Sequence, residues 1–295
     1  MVSLPTRRKM KYTLEAYGFL APALVILIMF IIYPVLYLVY ISFFNWKGLG
    51  AKEFVFLNNY KMILQRDEFR LVLKNTFIYI LGVVPTTMIL SLIAAVLLNS
   101  KIRLKSVYRT SIFSPTAISF VATGIIWVWM FNSDYGLVNR VLEALGFSPA
   151  DWLRSTSYAM LAVIIATVWA RVGYFMVIYL AGLQTIPEDY YEAAEVDGAT
   201  SFRKFLHITL PLLKPTHVLV LVMLTIFSFR DFDQIYTMTS GGPLMSTTTL
   251  AYYIYVLSFV RFRFSEGATV AVILLFIVIA VQYLQRKVFG EEAIY

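Results

Sequence analysis

The 295-residue chain contains no cysteine. That excludes disulfides, thiolate metal sites and cysteine nucleophiles. Histidine is nearly absent: only His207 and His217 occur, ten positions apart and on no shared ligand spacing, so no metal centre is expected. No glycine is followed directly by lysine, so the phosphate-cradling loop Gly-x-x-x-x-Gly-Lys-Ser/Thr is missing and the chain is not a P-loop ATPase. Neither a Ser/His/Asp arrangement nor a pair of carboxylates suggests catalysis, so no catalytic residue is expected. Charge is scarce at 14%, against about 25% in ordinary soluble domains.

Apolar residues fill the space that charge leaves. They make up 60% of the chain, with a mean hydropathy of +0.74. This is too much for one buried core and fits several bilayer spans. The net charge of +8 is better read as lysine and arginine at helix ends facing the cytoplasm than as a nucleic-acid surface. Six runs are long enough to cross about 30 Å of hydrocarbon as helices: Tyr17–Phe44, Leu71–Leu98, Val107–Phe131, Ser157–Leu180, Pro215–Tyr236 and Gly267–Leu284. Strands with open edges would leave backbone groups unpaired in lipid, so the expected fold is all-α with six transmembrane helices. Pro34, Pro85 and Pro115 are expected to kink or break their helices. Arg7, Arg8, Lys9 and Lys11 precede the first run as they would in a signal peptide, but the run is longer than a signal core of roughly 7–15 residues. It reads as an uncleaved first span.

One set of span ends carries Arg7, Arg8, Lys9, Lys11, Lys101, Arg103, Lys105, Arg109, Arg203, Lys204, Lys214, Arg286 and Lys287. The opposite ends carry fewer basic residues, mostly in the long Lys47–Lys74 segment. The bias predicts that both termini face the cytoplasm, and with them the segment 184–214. Trp127, Trp129, Trp152, Tyr252, Tyr253 and Tyr255 fit aromatic belts at the two interfaces.

Segment 184–214 is the charged exception between two apolar runs. Pro187 suits a first helical turn, and Glu188, Asp189, Glu192, Glu195 and Asp197 suit a helix N-terminal half. Gly198 supplies a left-handed position that ends the helix. A second short helix over Thr200–His207 would carry Phe202 and Phe205 on one face, and Leu210-Pro211 would stop it. Ala193 and Ala194 keep one face thin, while Glu192 and Asp197 offer carboxylates to a partner. An amphipathic helix lying in the interface is the plainer alternative.

Polar groups within spans are costly and mark candidate functional residues. Trp169, Arg171 and Tyr174 in the fourth run, and Asp231, Asp233 and Gln234 in the fifth, combine aromatic faces with hydrogen-bonding groups. Arg230 could pair locally with Asp231. Counted along straight helices, Arg171 lies roughly 21 Å from the outer end of its span and Asp231 about 8 Å from the outer end of its own. This depth difference argues against a pair between them and places Asp231 and Asp233 near the outer mouth.

Glu192-Ala193-Ala194, then Gly198, then Ile208-Thr-Leu210-Pro211 resembles the "EAA" loop of ABC importer permeases. Trp169-Ala-Arg-Val-Gly173, Leu180-Ala-Gly-Leu-Gln184-Thr-Ile-Pro187, Phe229-Arg-Asp231-Phe232-Asp233 and Thr239-Ser-Gly241-Gly242-Pro243 extend the likeness from about residue 17 to 288. The chain resembles the carbohydrate-uptake branch of type-1 ABC permeases. Ser240 stands where many relatives have a third glycine.

The resemblance implies a type-1 permease fold and a sugar path, for which Trp169, Arg171, Tyr174, Asp231, Asp233 and Gln234 are the candidates, their aromatic faces and hydrogen-bonding groups being suited to sugar hydroxyls. Residues 1–70 would form a tail, the first span and an outer loop, and residues 71–288 the permease domain. Segment 184–214 would be its coupling loop, with Glu192, Ala193, Ala194, Asp197, Gly198, Phe202, Leu210 and Pro211 meeting an ATPase. The partners it implies are a second homologous permease, two ABC ATPases that use ATP and magnesium, and an extracytoplasmic sugar-binding protein. No cofactor would be bound by this chain. The alternative from a different class is a secondary transporter driven by an ion gradient, which would favour internal repeats and midplane carboxylates. No strong repeat is visible in the sequence.

Overall fold

A computed structural model describes residues 6–100 and 103–289. Lys101 lies outside the described residues, as do the side chains of Arg7, Arg8, Lys9 and Lys11.

In chain order the helices are α1 (Thr6–Leu27), α2 (Tyr33–Ser42), α3 (Asn58–Gln65), α4 (Asp67–Asn99), α5 (Lys105–Phe113), α6 (Phe120–Met130), α7 (Leu137–Ala144) and α8 (Ala159–Gln184). They continue with α9 (Asp189–Val196), α10 (Ser201–Lys204), α11 (Leu210–Leu212), α12 (Lys214–Arg230), α13 (Asp233–Met238), α14 (Leu250–Tyr255) and α15 (Phe264–Phe289). The strands described are two residues each: β1 (Phe44–Asn45) runs antiparallel to β2 (Glu53–Phe54).

Four stretches are long and apolar enough to cross a bilayer: Tyr17–Ser42, Asp67–Asn99, Ala159–Gln184 and Phe264–Phe289. Two bent helix pairs are long and apolar enough when each is taken together. Lys105–Ala117 meets Phe120–Met130 at 102°, and Ser201–Leu212 meets Lys214–Arg230 at 64°. The expected six is reached when each bent pair counts as one span.

The prolines act differently from one another. A π-helical turn over Ile28–Ile32 absorbs Pro34, because widening one turn relieves the ring's clash with the preceding carbonyl. Pro85 sits within α4 without interrupting it. Pro115 coincides with a real break: α5 gives way to a 3-10 turn over Ser114–Ala117. Ser119 then starts α6 by accepting from the Ala122 N–H at 3.2 Å.

The chain forms two compact units. One comprises the residues up to Ile63 together with Val256–Ile273, and the other comprises Leu64–Tyr255 with Leu274 onward. In the first, the Asn59 side chain donates to the Ser42 and Phe44 carbonyls, both at 2.8 Å. Lys52 donates to the Tyr37 hydroxyl at 3.0 Å, and its ammonium stands 4.8 Å from the Trp46 ring centre.

In the second unit α4 packs along α8. Ala159, Ala162, Ala166 and Ala170 recur every three or four residues on α8 and are buried. Small residues at this spacing let neighbouring backbones approach where no hydrophobic gain over lipid is available. Gly173 continues the row: a Cβ there would strike the Ile112 carbonyl and lie 2.7 Å from the Phe113 Cα. Asn75 of α4 donates to the Met245 and Thr248 carbonyls at 2.8 and 3.2 Å, tying down the loop before α14. Within that loop Ser240 takes a left-handed backbone, φ +48°, so serine here bears the strain that glycine would avoid.

Of the residues expected at interfacial belts, Trp129 is 67% exposed, whereas Tyr252 and Tyr253 are buried. Tyr253 donates its hydroxyl to Glu68 at 3.0 Å, and Tyr252 packs on Phe232 with ring centres 5.8 Å apart.

Candidate functional site

Where α8 and α12 meet the break between α5 and α6, they line an open cavity of about 470 Å³. Arg171 enters it from α8 and Asp231 from the residue after α12. The two form a buried ion pair through Arg171 Nη2 and Asp231 Oδ1. Arg171 Nη1 also donates to Ser228 Oγ at 3.3 Å, while its Nε has no hydrogen-bond partner among the described residues. The guanidinium faces the rings of Phe120 and Phe227, 5.4 and 5.7 Å from their centres, within cation–π range.

Asp231 has a second partner. The Tyr79 hydroxyl of α4 donates to its Oδ2 at 2.7 Å and lies 3.0 Å from Thr167 Oγ1. Thr167 in turn donates to the Val163 carbonyl at 2.9 Å. The carboxylate is therefore held from α4 and α8 at once, which meets the requirement that a buried charge be paired and hydrogen-bonded.

The depth argument against an Arg171–Asp231 pair is overturned by this geometry. It assumed one straight helix to Tyr236. In fact α12 enters after a 64° bend and ends at Arg230, and the chain breaks before α13 begins at Asp233. Asp231 lies at this break, with a side chain only 11% exposed.

Of the residues proposed for a sugar path, Arg171, Tyr174, Asp231 and Asp233 line the cavity. Trp169 and Gln234 do not. Trp169 meets Trp127 edge-on at 5.8 Å and lines a separate, more apolar cavity of about 760 Å³. Gln234 is buried on α13, which packs against α6. Arg230 lines the cavity too. Sequence reasoning missed Tyr79, whose signal was a lone phenol within an apolar run. It also missed Phe120 and Phe227, which nothing distinguishes from lipid-facing phenylalanines in the sequence.

The second feature is the elbow between α8 and α12. Gly198 adopts φ +73° after α9. Its N–H donates to the Glu195 carbonyl at 3.0 Å, and the Ala199 N–H to the Ala194 carbonyl at 2.8 Å. This is the Schellman arrangement, which satisfies carbonyls left open at a helix end. Thr200 then starts α10 by accepting from the Arg203 N–H at 3.4 Å. Two cross-links brace the limbs: Lys204 Nζ donates to Glu195 Oε1 at 2.6 Å, and the hydroxyls of Tyr191 and Thr209 are 3.0 Å apart. The Lys204 hydrogen bond and positive charge hold the Glu195 carboxyl below the usual glutamate range.

Glu192, Ala193, Asp197 and Phe202 are exposed on the elbow, with Phe202 at 69% and the neighbouring Val196 at 89%; Ala194 is half-buried. The expected stop at Leu210-Pro211 is not where the chain turns. Helical winding continues as a π turn over Phe205–Thr209 and then α11, and the break falls at Leu213. The π turn ahead of Pro211 accommodates the proline, as it does ahead of Pro34. Among the described residues no three histidine, aspartate or glutamate side chains converge on a metal-sized site.

Residues 87–289 match the family model described as "Binding-protein-dependent transport system inner membrane component". The chain is 39% identical to the sulfoquinovosyl glycerol transport system permease protein of Agrobacterium fabrum, over 90% of this chain and 88% of that one. It is 37% identical to the lactose transport system permease protein of Rhizobium radiobacter, over 94% of each. A bacterial alginate ABC transporter, solved with an alginate pentasaccharide-bound periplasmic protein, contains a chain with a TM-score of 0.79 to this one. The match is at 23% identity and covers 97% of this chain and 98% of that one, which establishes a shared fold.

Proposed function

Because the chain belongs to the family of binding-protein-dependent transport system inner membrane components, the permease part of ABC importers, we propose that it moves a carbohydrate inward by alternating access. The cargo class spans monosaccharides, oligosaccharides and polyols. The chain is a multi-pass protein of the cytoplasmic membrane, and in this family ATP hydrolysis belongs to a separate subunit.

The observation that carries the reading is the cavity between α8 and α12. It combines an ion pair, hydroxyl-bonding groups and aromatic rings among apolar helices. An uncompensated charge there would be costly. A paired one, with lone pairs and N–H groups to spare, is suited to sugar hydroxyls.

In this reading both termini face the cytoplasm. Residues 1–70 form the tail, first span and outer loop, and residues 71–288 form the permease domain. The elbow within 184–214 seats on an ATPase, with Glu192 and Asp197 as charged contacts and Phe202 as an apolar one. A second, homologous permease completes the pathway, two ATPases drive it, and an extracytoplasmic receptor delivers the sugar.

The test is uptake of radiolabelled carbohydrate into proteoliposomes containing the complete complex. Uptake is expected only with ATP and the partner ATPase. Uptake driven by a proton or sodium gradient alone would overturn the reading. The absence of native cysteine from this chain permits single cysteines in the elbow, which are expected to crosslink to the ATPase.

A further inference from the structure

Four charged side chains line the cavity, Arg171 and Arg230 against Asp231 and Asp233, and their formal charges cancel. The balance is fixed at its buried centre. Asp231 receives one hydrogen bond from Arg171 and another from Tyr79, and Arg171 also donates to Ser228. Taking carbohydrate binding in this cavity as the premise, we propose that Asp231 is a specificity-determining residue that restricts the site to uncharged sugars by keeping Arg171 neutralised.

The argument compares two kinds of ligand. A sugar acid or sugar phosphate seeks a guanidinium for two parallel charge-assisted bonds. Here one face of that guanidinium is already held by Asp231. An anionic ligand would have to displace the carboxylate, or share a poorly solvated space with Asp231 and Asp233. Both routes bring like charges together or leave Asp231 unpaired.

A neutral hydroxyl demands neither. An ionised carboxylate has about four acceptor positions, and Tyr79 and Arg171 occupy two. A sugar hydroxyl donates to a remaining one and leaves the ion pair intact. Removing the carboxylate reverses the preference, because Arg171 is then a buried cation with no close counter-ion, which an anionic sugar supplies.

The test uses the whole transporter in lipid nanodiscs, with Ile118→Cys as the only cysteine of this chain. Ile118 lines the cavity and is 39% exposed. The rate of labelling by uncharged N-ethylmaleimide is measured with matched pairs at equal concentration: lactose and lactobionate, xylose and xylonate, glycerol and glycerol 3-phosphate. At least one neutral member is expected to slow labelling by roughly tenfold while its anionic partner does not. With Asp231→Asn added, the anion also slows labelling, and Arg171→Gln on top abolishes that gain.

Equal protection by anion and neutral sugar in the Asp231 background overturns the proposal. So does an Asp231→Asn complex that labels at the ligand-free rate of the parent and gains nothing for anions. If no compound alters labelling in any background, the carbohydrate reading of the cavity fails and the proposal fails with it. If Asp231→Asn does not assemble, the comparison of neutral and anionic members with Asp231 present decides alone.

Discussion

Arg171 and Asp231 are sixty positions apart and meet as an ion pair whose side chains are 6% and 11% exposed. A pair this deep costs much to desolvate, so its presence says less about stability than the consequence of breaking it.

Asp231→Ala leaves Arg171 without its counter-ion and is expected to destabilise the second unit by about 3–5 kcal/mol. Arg171→Met combined with Asp231→Leu should recover most of that loss, since well-packed apolar pairs replace buried ion pairs at little cost. Thermal unfolding in detergent checks both, and carbohydrate uptake should be lost in both. A double variant no more stable than Asp231→Ala would count against the pair as the cause.

Gly173 sits where α8 closes on the end of α5, with no room for a Cβ. Gly173→Ala is expected to cost about 1–3 kcal/mol through displaced backbone. An unchanged melting temperature would mean that the two helices separate without penalty.

The elbow predicts an assembly defect rather than a folding defect. Gly198→Ala places a side chain at φ +73° and should cost about 1–2 kcal/mol locally. Gly198→Pro and Glu192→Lys should reduce co-purification of the ATPase and lower uptake, with the permease still inserted at normal levels. Full association of both variants would remove the elbow from the coupling path.

Glu195 gives the elbow a pH dependence whose direction follows from its partner. The Lys204 contact lowers its folded pKa, so the stabilisation is present above the unfolded value and is lost as pH falls through the folded one. The brace should therefore hold at neutral pH and loosen only under acidity stronger than that which protonates a free glutamate. ATPase co-purification followed from pH 7 downward should show a late acid decline that Glu195→Gln lacks. Because Glu195 is exposed, the amplitude should be small.

Hydropathy marked where the apolar runs lie, and the turn chemistry of Gly198 was legible because a left-handed helix end favours that residue. What counting along the chain could not reveal was direction. The 102° turn after Ala117, the 64° turn at Leu213 and the end of α12 at Arg230 are produced by proline, π turns and packing. Each moves side chains that a straight span would place elsewhere. That is why a count along straight helices separated Asp231 from Arg171; Trp169, on the unbroken α8, misses the cavity because two positions turn it about 200° around the axis from Arg171.

The Asn139 network was hidden for a related reason. Its side chain accepts from the Trp152 indole at 2.9 Å and from the Ala150 N–H at 3.1 Å. It also donates to the Ala150 carbonyl at 2.9 Å. These partners lie eleven and thirteen positions away, beyond any local pattern.

The elbow and Asp231 flank one uninterrupted helix, α12, whose 17 residues extend about 25 Å at 1.5 Å per residue. A rod of this length carries any tilt at one end to the other. Tilting it by about 10° at its Leu213 pivot would sweep its far tip through about 4 Å, further than the reach of a hydrogen bond. The grip of Arg171 and Tyr79 on Asp231 is thus placed where a modest stroke at the opposite end would release it.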